Sequence, residues 1–495
     1  MKNTKTIALA ILGLSGLAGL LALAVVLIEK APSIEDQLPA SSTATNIDID
    51  NGDQKIDWSH YPKFSLDLSE ETTITKAGVY HVTGELEDAP LVINASKDDI
   101  RLILDNVTIK NSTGPAVVCY SAGDLVVELK GESILRDGNK YDASYDDDVK
   151  GAFYSKSDLT FEGSGTLTIT ANYQDGIVGK DDLKFNGGSF VITAADDAIR
   201  GKDSVYIVNG DFNITSRSDG IKSTNEIDAG KGFVLIENGH IKIAAGDDAI
   251  HAEKELYIYN GNIDITKSYE GLEANNITIN GGEIKIASSD DGINAQNTIN
   301  INSGNTYVNA SGDGIDSNGY AYINGGTLTI DGPTNNGNGA LDSENGIIIK
   351  GGTVVAVGSS GMAESPANSS TQYSANIFLD STYPADSKIK IKDSDGNTIL
   401  RHTSAKTFSN ITVSMAEFVL GETYILYIDD EKIESFTLSN VATIVGNANN
   451  RFGGPGGMGP GGGMGPNNDM GPGMQGGDMA PPDGEPIAPP NDQRF

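Results

Sequence analysis

Hydrophobic and polar positions repeat along the middle of the chain in blocks of about 22 residues. Each block opens with an acidic residue, a small residue and an aliphatic one, as in Asp175-Gly176-Ile177 and Asp197-Ala198-Ile199. The acidic positions 175, 197, 219, 248, 270, 291 and 313 are separated by steps of 22, 22, 29, 22, 21 and 22 residues. A fixed period of this length indicates a solenoid in which every repeat stacks on its neighbours.

Within one block, apolar residues alternate with polar ones over short stretches that glycine-rich turns separate. Residues 277–279 and 284–286 alternate in this way, and Asn280-Gly281-Gly282 lies between them. Such short alternating stretches predict strands rather than helices. Three short strands in each 22-residue turn predict an all-β parallel β-helix, in which each strand pairs with its equivalent about 4.8 Å away. Inward aliphatic residues would then form a ladder that includes Ile199, Ile221, Ile250 and Ile293.

The pattern divides the chain into five segments. An uncharged, largely apolar run from Ile7 to Ile28 follows Lys2 and Lys5, and it is long enough to cross a bilayer as a helix. We therefore expect a signal anchor at 1–30, with a cleaved signal peptide as the alternative, and a polar linker at 31–60. The positive residues before the run predict that the rest of the chain is extracellular and tethered to the membrane by this helix.

The remaining three segments differ in periodicity. We expect the β-helix over 61–380 and a small antiparallel β module that caps its open end over 381–446. Residues 447–495 are rich in Gly, Pro and Met and predict a disordered tail. Insertions interrupt the repeat near Asp142–Asp148 and at Asn225–Lys231, and such loops often carry function in solenoids.

Composition changes the picture in three ways. The net charge of −34 disfavours nucleic-acid binding, because that binding depends on Lys and Arg contacts to phosphates. A single cysteine, Cys119, excludes an intrachain disulfide scaffold. The 60 glycines fit a structure with many turns.

The acidic residues must stack in a column if every coil places them at the same corner. Like charges about 5 Å apart repel each other, so a cation between the coils would relieve the repulsion. Carboxylate and carbonyl oxygens are the ligands that Ca²⁺ prefers. The alternative for each aspartate is a solvated turn in which the side chain accepts a hydrogen bond from nearby backbone.

A second, outward column follows the core aliphatic residue of each coil. It contains Val178, then Arg200 and Lys222 on consecutive coils, then His251 and Glu273. Arg200 or Lys222 could act as the base of a lyase that removes a proton from a Ca²⁺-bound uronate. A salt-bridge ladder exposed to solvent is the alternative.

Three stretches resemble one bacterial family. The segment Tyr80–Leu86, the coil Ile100–Val107 and the serial Asp-Gly-Ile and Asp-Ala-Ile anchors resemble the cell-surface carbohydrate-binding β-helix family, which is distantly similar to pectate lyases. The resemblance covers roughly residues 65–370. It implies a right-handed parallel β-helix that binds cellulose or acidic pectic polysaccharide and carries Ca²⁺ at its acidic corners. The aspartates to which this metal role is carried over are Asp175, Asp196, Asp197, Asp219, Asp247, Asp248, Asp290 and Asp291.

These observations together predict an extracellular, calcium-dependent polysaccharide-binding protein without catalytic activity. A pectate-type lyase and a structural or adhesive solenoid remain the alternatives. Glu270 departs from the aspartate pattern and Val178 interrupts the polar column, so these two coils fit the expectation least.

Overall fold

The structure is a computed structural model, which describes residues 56–69 and 72–448. In these two ranges the chain forms 40 strands and one three-residue 3-10 helix, Trp58–His60. Within the same ranges, no helix has the length and apolar character needed to cross a membrane. The predicted anchor at 1–30, most of the linker and nearly all of the tail lie outside the described residues.

The largest sheet has 21 strands and holds two strands from most coils. Its strands are β1 Lys63–Asp67, β2 Thr73–Ile74, β3 Gly78–Thr83, β5 Leu91–Asn94, β6 Ile100–Asp105, β8 Val117–Ser121, β9 Leu125–Lys130, β11 Gly151–Ser155, β12 Leu159–Gly163, β14 Asp175–Gly179, β15 Asp182–Phe185, β17 Ile199–Gly201, β18 Ser204–Ile207, β20 Ile221–Ser223, β21 Phe233–Ile236, β23 Ile250–Ile258, β25 Leu272–Ile279, β27 Ile293–Ile301, β29 Ile315–Ser317, β30 Tyr320–Ile323 and β32 Gly346–Ile349.

The second sheet has 15 strands and forms the opposite wall of the solenoid. Its strands are β4 Glu85–Glu87, β7 Thr108–Lys110, β10 Glu132–Arg136, β13 Thr166–Ala171, β16 Ser189–Ala194, β19 Asp211–Ser216, β22 His240–Ala244, β24 Asn262–Lys267, β26 Glu283–Ala287, β28 Asn305–Asn309, β31 Thr327–Asp331, β33 Thr353–Gly358, β34 Ser374–Tyr383, β37 Phe408–Ser414 and β40 Ala442–Val445. A third sheet is antiparallel and consists of β35 Lys388–Lys392, β36 Thr398–Thr403, β38 Thr423–Ile428 and β39 Glu431–Thr437.

Strands of successive coils pair in parallel and in register. Ile177 lies opposite Ile199, which lies opposite Ile221, and Ile221 in turn lies opposite Ile250. These side chains are fully buried in one continuous hydrophobic core. The predicted all-β parallel solenoid is therefore confirmed, with about 13 turns and about 22 residues per coil.

The narrow core explains why a modest hydrophobic content is enough to fold this chain. Each strand contributes alternate residues to the interior, and Phe161 stacks on Phe185 with 5.3 Å between ring centroids. The turns before the second sheet bring backbone close to backbone. At Gly282, where φ is +96°, an added Cβ would lie 2.9 Å from the Gly261 carbonyl oxygen of the preceding coil. Only glycine fits such a corner without strain.

Parallel stacking changes to antiparallel pairing near the C-terminal end of the solenoid. β33 pairs in parallel with β31 on one side and antiparallel with β37 on the other. A second hydrophobic cluster joins Val355 and Val357 of β33 with residues of β34 to β40. The coil edge is thereby covered by strands that run across the repeat, which leaves fewer unpaired backbone groups there.

The insertion before β11 folds onto the outside of the largest sheet. Tyr141 and Val149 from this insertion pack in a small third cluster with Val118, Tyr154 and Val178, all of them buried. These last three residues point away from the main core. The insertion therefore covers one end of the outward column and forms a wall beside its next members.

Candidate functional site

The acidic residue that opens each block lies in one column along the solenoid, as the repeat predicts. Asp175 Oδ1 accepts a hydrogen bond from the Asp197 backbone N–H at 3.2 Å, and Asp197 Oδ1 accepts one from Asp219 at 3.0 Å. Asp219 continues the series by accepting from the N–H of Asp248 at 3.0 Å. One oxygen of each carboxylate thus satisfies the backbone of the next coil, and the second oxygen is left for other partners. We call this column the aspartate ladder.

The N-terminal half of the aspartate ladder contains its own positive charges. Arg200 Nη1 lies 3.6 Å from Asp175 Oδ2 and 3.9 Å from Asp197 Oδ2. Lys222 Nζ forms an ion pair with Asp219. His251 Nδ1 lies 3.2 Å from Asp248 Oδ2. Every acid in this half therefore faces a cation from the outward column.

The protonation of these cations follows from their surroundings. Burial alone would lower the pKa of His251, but hydrogen bonds to Asp248 and Glu273 outweigh burial and raise this pKa to about 10. Burial likewise opposes the charge on Lys222, yet the hydrogen bond to Asp219 raises its pKa above the ordinary value. A lysine held in its charged form by a carboxylate is poorly suited to abstract a proton.

The C-terminal half of the aspartate ladder is built differently. Asp291, Asp313 and Asp316 place one oxygen each within 4.8 Å of one another. Burial raises the pKa of Asp313 to about 8 and that of Asp291 to about 6, and neighbouring carboxylates add to both shifts. Among the described residues, no Lys, Arg or His side chain forms an ion pair with these three. This group, the carboxylate trio, lacks the positive charge that the other half has.

A glycine makes room for the carboxylate trio. A Cβ added at Gly312 would lie 2.3 Å from Asp291 Oδ1 and 2.5 Å from Asp290 Oδ1. The backbone around the trio is satisfied as well, since the Asp313 N–H donates to Asp291 Oδ1 at 2.6 Å. Several carboxylate oxygens that converge on a cradle only glycine can line match the donor set of Ca²⁺. The residues at this end of the aspartate ladder therefore fit the ion.

Three of the predicted aspartates directly precede a ladder residue in the sequence and lie beside the ladder rather than in it. Asp196 and Asp290 are half-buried, and Asp247 is exposed. Burial of its carboxyl group raises the pKa of Asp247, and the neighbouring Asp248 adds to that effect. These residues increase the negative charge near the ladder without taking part in its hydrogen-bonded column.

The two departures from the repeat have structural causes. Glu270 has a longer side chain, which accepts a hydrogen bond from Asn294 Nδ2 at 3.0 Å. Burial raises the pKa of Glu270 to about 8. Val178 is apolar because the inserted loop covers it.

A groove of about 400 Å³ lies between the inserted loop and the start of the aspartate ladder. Four basic side chains line it, together with Asp147, Asp148 and Asp175. The basic residues are Lys150, Lys180, Arg200 and Lys202. We call this feature the basic groove, because it gathers positive charge in a chain whose net charge is −34.

The buried carboxylate of Asp175 opens onto the basic groove. Its Oδ2 atom has no hydrogen-bond partner, although Arg200 Nη1 lies 3.6 Å away. Burial raises the pKa of Asp175 to about 7, and the charge of Asp197 adds to the rise. The groove is thus lined by one buried carboxylate whose second oxygen makes no hydrogen bond within the protein.

Reasoning from the repeat found Arg200 but missed the other three basic residues of the groove. Lys180 and Lys202 stand at equivalent positions of consecutive coils, so alignment of the coils could have found them. Lys150 belongs to the insertion, and no periodic signal marks it.

Comparison with known proteins places the chain in a family. A family model described as "Carbohydrate-binding domain-containing protein" matches residues 69–314 and 270–416. The chain belongs to this family. A relative of the same description from Acetivibrio thermocellus is 38% identical over 218 residues, which are 43% of this chain and 76% of that relative.

A solved structure is also similar to this carbohydrate-binding domain family member. It is the gadolinium derivative of a polysaccharide lyase-like protein from C. thermocellum, with 28% sequence identity and a TM-score of 0.39. The similarity covers 48% of this chain and 96% of that structure.

Proposed function

We propose that this protein is an extracellular, calcium-dependent polysaccharide-binding protein without catalytic activity, and that its ligand is an acidic polysaccharide of the polygalacturonate type. The basic groove is the observation that supports this ligand. Family membership supports carbohydrate as the class of partner. The apolar run at Ile7–Ile28 supports export and attachment to the membrane.

The charges of the groove suit the carboxylates of a uronate chain. In the described part of the chain, the side chains of Lys150 and Lys180 have no ion-pair partner. A carboxylated sugar would supply that partner, and Arg200 can offer two parallel N–H donors to one carboxylate. The net charge of −34 repels a polyanion from most of the surface, so direct binding to basic side chains would be concentrated in this groove.

Calcium would bind away from the basic groove, at the C-terminal end of the aspartate ladder. Asp290 and Asp291 of the predicted set would hold the ion together with Asp313 and Asp316, because this end of the aspartate ladder has no cation of its own. A bound Ca²⁺ would neutralise the trio and could share its remaining coordination positions with carboxylates of the polysaccharide. The N-terminal members of the predicted set would remain paired with the resident cations.

We propose the absence of catalysis because of the surroundings of the two candidate bases, Arg200 and Lys222. Arg200 lies against the carboxylates of Asp175 and Asp197, and Lys222 is held in its charged form by Asp219. Both side chains are therefore suited to binding an anion rather than to removing a proton.

The test is affinity electrophoresis in gels that contain polygalacturonate. Wild-type protein should be retarded in Ca²⁺, and a Lys180→Ala/Lys202→Ala double variant should lose most of that retardation. Lys267→Ala, an exposed lysine on the opposite sheet, is the matched control and should behave as wild type. Full retardation of the double variant would contradict the proposal.

Two further measurements on the same protein distinguish the alternative functions, a lyase and a purely structural solenoid. A lyase would generate unsaturated sugar products, which are followed by their ultraviolet absorbance when pectate is incubated with protein and Ca²⁺. A purely structural solenoid would show a higher melting temperature in Ca²⁺ and no retardation in any polysaccharide gel.

A further inference from the structure

A second groove lies on the outward face of the second sheet, on the strands that precede the acidic corner of each coil. It has a volume of about 360 Å³ and crosses the outward face of four adjacent strands, β16, β19, β22 and β24. Two rows of outward side chains form its floor. One row is Ser189, Asp211, His240 and Asn262, and the other is Val191, Asn213, Lys242 and Asp264.

The register of the strands aligns each row along the solenoid axis. Ser189 lies opposite Asp211, Asp211 opposite His240, and His240 opposite Asn262. Three strand spacings of about 4.8 Å make each row about 14 Å long. An extended chain that runs along the axis would therefore meet a pair of polar side chains on the coils of β19, β22 and β24, and Ser189 beside Val191 on the coil of β16.

The polar groups of this floor are not used by the protein. In the described part of the chain, the side chains of Asn213, His240, Lys242, Asn262 and Asp264 have neither a hydrogen bond nor an ion pair.

Some outward side chains of the strands further along the solenoid are paired with each other. Asn305 Nδ2 donates to Glu283 Oε2 at 3.1 Å, and the Tyr307 hydroxyl donates to Asp331 Oδ2 at 2.8 Å. The polar side chains of the four-strand floor have no such partners among the described residues and are available to a ligand.

The chemistry of the floor differs from that of the basic groove. Amide, hydroxyl and imidazole groups supply both donors and acceptors, and one lysine is accompanied by two aspartates. Neither positive nor negative charge dominates in the floor. Among the residues that line it, Val191 is the largest exposed apolar side chain, with 38% exposure. A polyanion would meet Asp211 and Asp264, whereas an apolar peptide would find no pocket for an anchor.

We propose that this floor is a second binding site, which takes an uncharged polysaccharide chain through its hydroxyl groups. A sugar hydroxyl is both a donor and an acceptor, so it can pair with amides and with carboxylates along the same row. The two rows continue onto β13 on one side and β26 on the other, so internal stretches of a long chain could lie across the floor. The protein would hold an acidic chain on one wall and a neutral chain on the other.

The test uses soluble neutral β-glucan and β-mannan in affinity gels, followed by calorimetric titration of the polysaccharide that retards the protein. An Asn213→Ala/Asn262→Ala double variant should raise the Kd of that neutral polysaccharide by about tenfold or more, since several hydrogen bonds are lost together. Retardation by polygalacturonate should not change. Thr329→Ala lies in the second row, three strands beyond Asp264, and is the matched control.

Three results would overturn this second site. The first is that neither neutral polysaccharide retards the wild-type protein, and the second is that the double variant binds the neutral chain as wild type does. The third is that Lys180→Ala/Lys202→Ala removes neutral and acidic binding together, which would mean that one groove serves both chains. Failure of the acidic arm alone would contradict the proposed function and leave the second site supported.

Discussion

Replacing one charge of the carboxylate trio should have opposite effects on stability in the absence and in the presence of calcium. Asp316→Asn removes a negative charge while it keeps the size of the side chain. The oxygens of Asp316, Asp291 and Asp313 lie within 4.8 Å of one another. At that distance two unit charges repel by about 3 kcal/mol when the effective dielectric constant is about 20.

The expected gain is smaller than the sum of two such repulsions. Burial raises the pKa of Asp313 to about 8, so this carboxyl group is largely protonated at neutral pH. All three side chains are half-buried, and solvent screens part of the remaining repulsion. We expect Asp316→Asn to raise the free energy of unfolding in chelator by about 1–3 kcal/mol.

Calcium should reverse the order of the two proteins once the wild type gains more from Ca²⁺ than the variant by over about 1–3 kcal/mol, the advantage of the variant in chelator. The wild type gains about 2.7 kcal/mol when free Ca²⁺ exceeds its Kd by about a hundredfold, whereas the variant has lost a ligand and gains less. Urea unfolding of both proteins in EDTA and in Ca²⁺ measures the effect, with Asp395→Asn in an exposed turn as the control. A variant that is less stable than wild type in EDTA, or that gains as much from Ca²⁺, would refute the reasoning.

Three further predictions follow from the same ladder. In chelator, the free energy of unfolding should fall as pH rises from about 4 to about 8. The raised pKa values of Asp313 and Asp291 let the folded state retain protons that the unfolded state loses. A flat or rising profile in urea unfolding would contradict this. Gly312→Ala should cost about 1–3 kcal/mol of stability in Ca²⁺ and weaken Ca²⁺ binding in calorimetry, since its Cβ would press on Asp291 Oδ1, and unchanged binding would argue against the cradle. Lys222→Met leaves Asp219 without its cation, so we expect about 3–5 kcal/mol of destabilisation in EDTA and one additional Ca²⁺ per protein; an unchanged count would show that the lysine does not occupy a cation position.

The fold could be predicted because the repeat and the backbone hydrogen bonds require the same arrangement. A period of about 22 residues with alternating aliphatic positions leaves stacking of equivalent strands as the way to bury Ile199 on Ile221 and to pair their backbones. The register follows from this, since a slip of one residue would turn every inward side chain outward. The acidic column follows from the register alone.

The chemistry of the site could be predicted only in part, because it depends on residues that the period does not relate. The repeat places Asp219 and Asp313 at the same corner, yet one faces Lys222 and the other faces further carboxylates. That difference arises in the outward column, where the residue type varies freely from coil to coil. The wall that Lys150 adds to the basic groove comes from an insertion, and nothing in the repeat indicates where such a loop folds.

The residues of the second groove could not be identified as binding residues from the sequence either. Asn213 and Lys242 are ordinary outward residues of strands, and alternation predicts no more than their exposure. Their lack of partners, in contrast to the pair formed by Tyr307 and Asp331, becomes visible only with side-chain geometry. Sequence patterns thus describe positions, whereas the distances between side chains decide which positions remain free to bind.

A crystal structure of the protein with an oligogalacturonate and Ca²⁺ tests the central claim most directly. We expect the sugar to lie in the basic groove, with its carboxylates on Lys180 and Arg200, and a Ca²⁺ ion to lie among Asp291, Asp313 and Asp316. Sugar density elsewhere on the solenoid with an empty basic groove, or an ion on Asp219 in place of Lys222, would contradict it.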